Sequence, residues 1–174
     1  MKKILAFAVM AAMASAASAQ AWMGASMGMN IQDVEDDDNV TTLSIAPEMG
    51  YNFRDNMAIA VALSYSHSNA TRTTNAFSVH PYLRYTCSRM GPVSFFLDAG
   101  VQYGLCHVRG DEHNTQSLGV SLNPGMAYAL GDRMSLVAHM GDIGYTHGWY
   151  DDSTSNTFHL SMTNNISLGL FCHF

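Results

Sequence analysis

The stretch TTLSIAPEMGYNFRDNMAIAVALSY, residues 41–65, decides the fold. Apolar side chains occupy every second position of residues 43–53 and again of residues 57–65, and small or polar residues fill the positions between them. Residues 54–56 form a short polar connection between the two runs. Alternation with a period of two on both sides of a short connection predicts two antiparallel strands joined by a turn.

The same alternation recurs eight times after residue 20. We expect a bulge near Asp142, because the alternation of the seventh run loses its phase there. Eight such runs within one domain length indicate a sandwich or a barrel. The predicted strands are residues 21–31, 41–53, 57–66, 77–85, 93–104, 118–130, a seventh from 134 onward, and 166–174.

The connections between the runs alternate in length. Short connections fall at residues 54–56, 88–92 and 131–133. The others are longer and polar: DVEDDDN, NATRTTN, HVRGDEHNTQ and HGWYDDSTSN. Short turns at one end and long loops at the other are typical of transmembrane barrels, with the turns in the periplasm and the loops outside. The sequence therefore predicts an all-β fold, an eight-stranded antiparallel transmembrane β-barrel in up-and-down order.

The first segment reads as an export signal. Lys2 and Lys3 precede an apolar run, residues 4–14, which is too short to span a bilayer. The small residues that follow place Ala17 and Ala19 in the pattern that signal peptidase recognises. We expect a signal peptide at 1–19, cleaved after Ala19, and a barrel domain at 20–174.

Composition restricts the partners. The chain has 14 acidic and 8 basic residues, and without the first two lysines the formal charge changes from −6 to −8. So acidic a chain is a poor candidate for binding nucleic acid. Three cysteines form neither a closed disulfide framework nor a zinc pattern, and we expect no metal and no cofactor.

A soluble lipocalin-like carrier is the alternative barrel, with its apolar set turned inward around a ligand. Its outer face would need charged residues along every strand. The polar face of this chain consists mainly of Gly, Ala, Ser and Asn. Small residues suit a crowded lumen, so the apolar set is predicted to face lipid.

An internal repeat, Pro-x-x-x-Tyr-x-apolar, precedes each short turn. It places Tyr51, Tyr85 and Tyr128 at one depth on the apolar face, where a periplasmic aromatic girdle is expected. A proline inside a strand removes a ladder hydrogen bond, and we expect local bulges to accommodate these prolines. They are Pro47, Pro81 and Pro124.

Four charged or titratable residues face the lumen at comparable heights: Glu48, Arg84, Asp98 and His139. Because isolated ions would be costly there, we expect Arg84 to lie between Glu48 and Asp98. The alternative role is an ion or proton path. A self-satisfied polar filling is favoured, since eight strands leave room only for side chains.

The segments PEMGYNFRDNMAIA, HPYLRY and LDAGVQYG resemble the OmpX/OmpA-like family of small outer-membrane β-barrels, especially members from Bacteroidetes-like bacteria. The end, SLGLFCHF, resembles the family's C-terminal assembly signal, with Ser167, Gly169, Cys172 and Phe174 in its positions. The resemblance implies a Gram-negative cell envelope, surrounding lipid and lipopolysaccharide, the barrel-assembly machinery as a partner, and a monomer. It implies little about biological role, because the family varies in its loops.

Catalytic chemistry has one candidate. His159 and Ser161 share a face of the last strand, similar to the His-x-Ser of lipid A deacylases, but residues 153–174 contain no carboxylate to orient the imidazole. Both side chains are expected in the lumen. We therefore predict no catalytic residues and no enzyme, with a lipid A-modifying enzyme as the alternative.

Other features of the loops give weaker signals. The acidic run at residues 33–38 is expected to be a solvated loop, with divalent-cation contact as the alternative. The histidines His107, His113 and His147 are too scattered to indicate a metal site. A structural or surface-interaction role through the four loops is predicted, with a narrow channel as the other alternative.

Overall fold

The structure is a computed structural model that describes residues 20–32, 40–69, 73–108, 115–150 and 153–174. The predicted signal peptide and most of the acidic run lie outside the described residues. No helix among the described residues is long and apolar enough to cross a bilayer.

Eight antiparallel strands form one closed barrel in sequence order, so the predicted fold is confirmed. The ring closes between the first and last strands, where Trp22 pairs with His173 and Gly28 with Ser167. The strands are β1 (Ala21–Gln32), β2 (Val40–Arg54), β3 (Met57–Asn69), β4 (Thr73–Met90), β5 (Val93–Val108), β6 (Thr115–Ala129), β7 (Met134–Tyr150) and β8 (Ser153–His173).

The connections are shorter than predicted at two of the three turns. Residues 55–56 and 91–92 join their strands, and residues 130–133 join β6 to β7. The predicted connection 88–92 is wrong in its first three residues, which extend β4 past a register shift after Thr86. Gly91 has a φ of 60°, which the tight turn requires and glycine adopts without strain.

The strands also extend into the predicted long loops. Most of HGWYDDSTSN belongs to β7 and β8, and His107 and His147 lie in strands rather than in loops. Alternation was hidden in these segments because the residues on both faces are polar or aromatic. We call this end of the barrel the loop end, and the end that holds the short turns and both Gln20 and Phe174 the turn end.

The two faces of the sheet are sorted as the alternation predicts. On β3, Ala58, Ala60 and Ala62 are buried inside, while Ile59 between them is 59% exposed on the outer surface. Large apolar side chains are exposed in this way on all eight strands. An apolar exterior of this extent would be insoluble, so the soluble lipocalin-like alternative is excluded.

A bulge interrupts β7, as predicted near Asp142. The register against β8 shifts between Met140 and Asp142, and Gly141 between them has a φ of 84°. His139 points into the lumen below the bulge and Asp142 points into it above. Relative to β6, β7 carries one extra residue here, which reverses which positions of β7 face inward.

The prolines are accommodated in two ways. Opposite Pro124 the register between β6 and β7 shifts by one residue, and the extra residue belongs to β7, at the Gly141 bulge, rather than to the strand of the proline. At Pro47 and Pro81 the bulge prediction is wrong, because the ladders on either side keep their register. Instead, each of these prolines is left out of the pairing on one side of its strand, where its missing N–H has no bond to make.

Candidate functional site: a plugged lumen

Three of the four predicted lumen residues form one contact network. Arg84 on β4 and Asp98 on β5 are direct ladder partners. Arg84 Nε and Nη2 each donate a hydrogen bond of 2.7 Å to one oxygen of Asp98. Nε2 of His139, on β7, lies 3.2 Å from the same carboxylate. Both members of the ion pair are nearly buried, and this bidentate geometry is the strongest that a guanidinium and a carboxylate form.

Glu48 lies beside this network without pairing with Arg84. Its oxygens accept hydrogen bonds from the Ser26 hydroxyl at 2.9 Å and the Tyr82 hydroxyl at 2.7 Å. The Tyr82 oxygen in turn lies 3.4 Å from Arg84 Nη2. The prediction that Arg84 lies directly between two carboxylates is therefore wrong for Glu48, because the Tyr82 side chain occupies the space between them.

Aromatic side chains complete the layer from the turn end. The Arg84 guanidinium carbon lies 3.9 Å from the ring centroid of Phe96 and 5.0 Å from that of Trp22. Trp22 packs edge-to-face on Phe171 with centroids 5.3 Å apart. All three rings are buried, and cation–π contact is strong where water is excluded.

Sequence reasoning did not recognise this aromatic layer. The available signal was size, because Trp22 and Phe96 are large residues on faces that otherwise hold Gly, Ala, Ser or a few charges. Glycines on neighbouring strands make room for the rings. A Cβ at Gly50 would lie 2.3 Å from the Trp22 ring, and a Cβ at Gly125 would lie 2.4 Å from the Phe96 ring.

We call this layer the lumen plug. It consists of Trp22, Glu48, Tyr82, Arg84, Phe96, Asp98, His139 and Phe171.

The lumen plug separates two cavities. The cavity toward the loop end has a volume of about 390 Å³, and the plug contributes Glu48, Tyr82, Asp98 and His139 to its lining. The cavity toward the turn end has a volume of about 560 Å³, and Trp22, Arg84, Phe96 and Phe171 line it. The polar half of the plug thus faces one cavity, and the cationic and aromatic half faces the other.

A contact between a histidine and a carboxylate lies nearer the loop end. His159 Nε2 on β8 is 2.7 Å from Asp142 Oδ2 on β7. The orienting carboxylate that is missing from residues 153–174 is therefore supplied by the neighbouring strand, where the Gly141 bulge turns Asp142 inward. Ser161 is the ladder partner of Asp142. Among the described residues, no group of three possible metal ligands occurs.

The remaining predicted residues fall at the turn end. Tyr51, Tyr85 and Tyr128 are all exposed on the outer surface, and the Tyr51 hydroxyl donates to Gln20 Oε1 at 2.5 Å. Phe174 is exposed and its N–H donates to the Ala21 carbonyl oxygen at 2.9 Å.

The other positions of the proposed assembly signal lie along β8. Gly169 is buried in the lumen, where a Cβ would meet Ser26 Oγ at 2.5 Å. The Ser167 hydroxyl lies 3.4 Å from His139 Nδ1, so this position contacts the lumen plug. Cys172, on the opposite face of the strand, is a free thiol.

A closed antiparallel ring with an apolar exterior is the architecture of one class of membrane protein. A family model described as the outer membrane protein beta-barrel domain matches residues 4–174. The chain belongs to this family. This outer-membrane barrel thus lies in the lipid of the outer membrane.

Solved structures of outer-membrane barrels share the fold. Neisserial surface protein A is 18% identical with a TM-score of 0.56, over 90% of this chain and 98% of that one. The N-terminal barrel domain of Pseudomonas aeruginosa OprF is 14% identical with a TM-score of 0.52, over 89% and 98%. OprG of Pseudomonas aeruginosa is 10% identical with a TM-score of 0.53, over 88% and 94%. A comparison with curated proteins finds no significant match.

Proposed function

We propose that this outer-membrane barrel is a non-conducting scaffold that presents its loops at the cell surface, where they contact surface ligands. The observation that carries the proposal is the lumen plug. A conducting pore needs a continuous hydrated path, and here a bidentate ion pair and three packed rings occupy the section between the two cavities.

The hydrogen bonding of the plug is also typical of a structural element. The carboxylates of Glu48 and Asp98, the groups that would bind a cation, already accept hydrogen bonds from Ser26, Tyr82 and Arg84. No buried side-chain nitrogen or oxygen among the described residues lacks a partner. Breaking a buried ion pair costs several kcal/mol, on the order of 3–5, so thermal opening of this layer is rare.

Planar-bilayer recordings test the proposal. The wild-type protein is expected to give no conductance steps above the lipid background. A variant that combines Trp22→Ala with Phe96→Ala removes two of the three rings of the plug and is expected to conduct. The matched control is Phe95→Ala, which removes a ring of the same size from the outer surface. Steady conductance by the wild-type protein would contradict the proposed scaffold role.

The orientation is part of the same proposal. The loop end is taken as the cell surface because the two longest connections, residues 33–39 and 109–114, lie there, and both Gln20 and Phe174 lie at the turn end. Protease added to intact cells is expected to cut near residues 33–38, 112 and 151–152. Preferential cutting near Asp55 or Asp132, in the turns, would reverse the orientation.

Hydrolysis is the second candidate, favoured by the contact between His159 and Asp142. A nucleophilic hydrolase needs a serine together with a histidine that a carboxylate orients, and Ser161, the ladder partner of Asp142, is the candidate nucleophile. Expression in a host that lacks lipid A deacylases, followed by mass spectrometry of lipid A, tests this role. Loss of an acyl chain with the wild-type protein but not with His159→Ala would establish it, and unchanged lipid A would exclude that substrate.

A further inference from the structure

A cluster of four outward-facing side chains recurs on two hairpins near the loop end. On the first hairpin, Tyr65 and His67 of β3 lie opposite Phe77 and Asn75 of β4. The Tyr65 hydroxyl donates to Asn75 Oδ1 at 2.9 Å, and His67 Nδ1 lies 2.9 Å from the same oxygen. One amide oxygen therefore joins a phenol and an imidazole across the two strands.

The hairpin of β7 and β8 repeats this cluster residue for residue. Tyr145 and His147 lie opposite Phe158 and Asn156. The Tyr145 hydroxyl donates to Asn156 Oδ1 at 2.8 Å, and His147 Nδ1 lies 2.5 Å from it. We call the two sets, residues 65, 67, 75 and 77 and residues 145, 147, 156 and 158, the rim clusters.

The rim clusters lie on opposite sides of the barrel, since two strands separate their hairpins in each direction around the ring. The hairpin of β5 and β6 carries only part of the pattern. There Tyr103 donates to Gln116 at 3.0 Å, but Leu105 and Leu118 stand where the rim clusters have His and Phe. The third hairpin thus offers an internal control of similar shape without the imidazole.

The height of the rim clusters follows from the strand. On β4, Tyr85 and Asn75 lie ten residues apart on the outer face, one at the predicted girdle and the other in a rim cluster. A tilted transmembrane strand needs about 9–11 residues to cross the bilayer. The rim clusters therefore lie where the hydrocarbon ends and the head groups begin.

The hydrogen bonds fix what each cluster presents outward. A carbonyl oxygen can only accept, so the imidazole donates through Nδ1–H, and in the neutral ring Nε2 is then the acceptor. The amide nitrogen of each Asn has two further N–H donors. Each cluster therefore combines an acceptor for a hydroxyl with donors for a phosphate or sugar oxygen, beside exposed aromatic rings.

We propose that the two rim clusters are binding sites for the head group of a phosphorylated glycolipid in the outer leaflet. Polar groups at the edge of the hydrocarbon are costly without partners, and at this height the available partners are lipid head groups. In each site the Asn amide donates to a phosphate or sugar oxygen and the His Nε2 accepts from a sugar hydroxyl. The rings of Phe77 and Phe158 contact the start of the acyl chains. The assignment to the outer leaflet rests on the proposed orientation.

Native mass spectrometry of the protein folded with lipopolysaccharide, or with phosphatidylethanolamine and phosphatidylglycerol alone, tests the sites. The wild-type protein is expected to retain two glycolipids at collision energies that strip phospholipid. The double variant Asn75→Asp with Asn156→Asp keeps the oxygen that Tyr and His contact but replaces the amide donors by a negative charge. Retention is expected to weaken roughly tenfold at each site, the effect of one lost hydrogen bond to a charged group. Tyr103→Phe on the third hairpin is the control, and this variant is expected to retain both glycolipids.

The outcomes separate the possible roles. If the clusters only tie neighbouring strands together, the Asp variants will fold, shift in gel mobility on heating, and hold as much glycolipid as the wild type, which overturns the proposal. Equal retention of phospholipid and glycolipid by the wild type overturns it too. Should the Asp variants fail to fold, the double variant His67→Leu with His147→Leu, which reproduces the pattern of the third hairpin, replaces them with the same expectation. Reversed protease accessibility would refute the proposed orientation, and conductance by the wild-type protein would refute the scaffold role. Neither result depends on whether the rim clusters bind head groups.

Discussion

The two cavities of the lumen differ in charge although the same strands line them. The carboxylates of Glu48, Asp98 and Asp142 line the cavity at the loop end, and no lysine or arginine is among the described residues of that lining. The cavity at the turn end is lined by arginines and one aspartate, Arg54, Arg84, Arg89 and Asp55. Arg84 and Asp98 lie at the boundary, and each faces a different side.

The lumen is therefore not a uniformly polar pore that one side chain blocks. An ion entering from either end meets a field that favours the opposite sign of charge from the field at the other end. The plug therefore closes the barrel by charge as well as by volume. Three changes to the barrel test this difference between the cavities, and they follow in order of decreasing expected effect.

Deleting Phe174 is expected to have the largest effect, because neither cavity exists unless β8 closes on β1. Thermodynamically the change is small, since it removes one backbone hydrogen bond, worth about 1 kcal/mol. We nevertheless expect insertion in cells to stop, on the proposal that the terminal strand is an assembly signal. The truncated chain should collect in the periplasm, as cell fractionation would detect.

Refolding in detergent is the control for this deletion. The purified truncated chain should still fold there and show heat-modifiable gel mobility, because no assembly machinery is required. Normal yield of the truncated protein in the outer membrane would contradict the assembly role of this residue.

Arg84→Ala is expected to have the next largest effect. It leaves the Asp98 carboxylate buried without its partner, and breaking a buried pair in this way costs about 3–5 kcal/mol. The urea midpoint of unfolding in detergent should fall accordingly. Arg54→Ala is the matched control, since Arg54 lines the same cavity but is exposed. Equal midpoints for the two variants would show that Asp98 does not depend on Arg84.

Small substitutions are expected to distinguish the plug from the wider lumen. A Cβ at Gly24 would lie 2.5 Å from the Leu170 carbonyl oxygen and 2.6 Å from the Phe171 ring. Gly24→Ala should therefore destabilise the barrel by about 1–3 kcal/mol. At Gly104 the only close atom is the Ser117 hydroxyl, which can rotate away, so Gly104→Ala should change stability by less than about 0.5 kcal/mol. Similar urea midpoints for the two variants would mean that the plug packs no more tightly than the rest of the lumen.

The fold was predictable because alternation acts on every residue of a strand. Ile59 and its buried neighbours Ala58 and Ala60 follow from parity alone. Parity also assigns Glu48, Arg84, Asp98 and His139 to the lumen, but it cannot say which of them touch. That depends on the register between strands and on side-chain length, and Tyr82 takes the position beside Glu48 for this reason.

The residues that sequence reasoning missed depend on contacts between strands. Asp142 meets His159 only because β7 and β8 are adjacent and because a bulge shifts their register. The hydrogen bonds of the rim clusters likewise join residues 8–11 positions apart, which no local motif brings together. Strand ends were misplaced where both faces are polar, since alternation then carries no hydrophobic contrast.

The bulge at Gly141 changes which residues of β7 face the lumen. If Gly141 instead adopted an ordinary strand conformation, with no bulge, every position from Asp142 onward would change faces. Asp142 would meet hydrocarbon, and the aromatic and imidazole rings of Tyr145, His147 and Trp149 would crowd the lumen. One inserted residue thus lets β7 contribute to two different regions of the lumen, the packed plug below the bulge and the contact between Asp142 and His159 above it. The outer surface of the strand stays compatible with the membrane along its whole length.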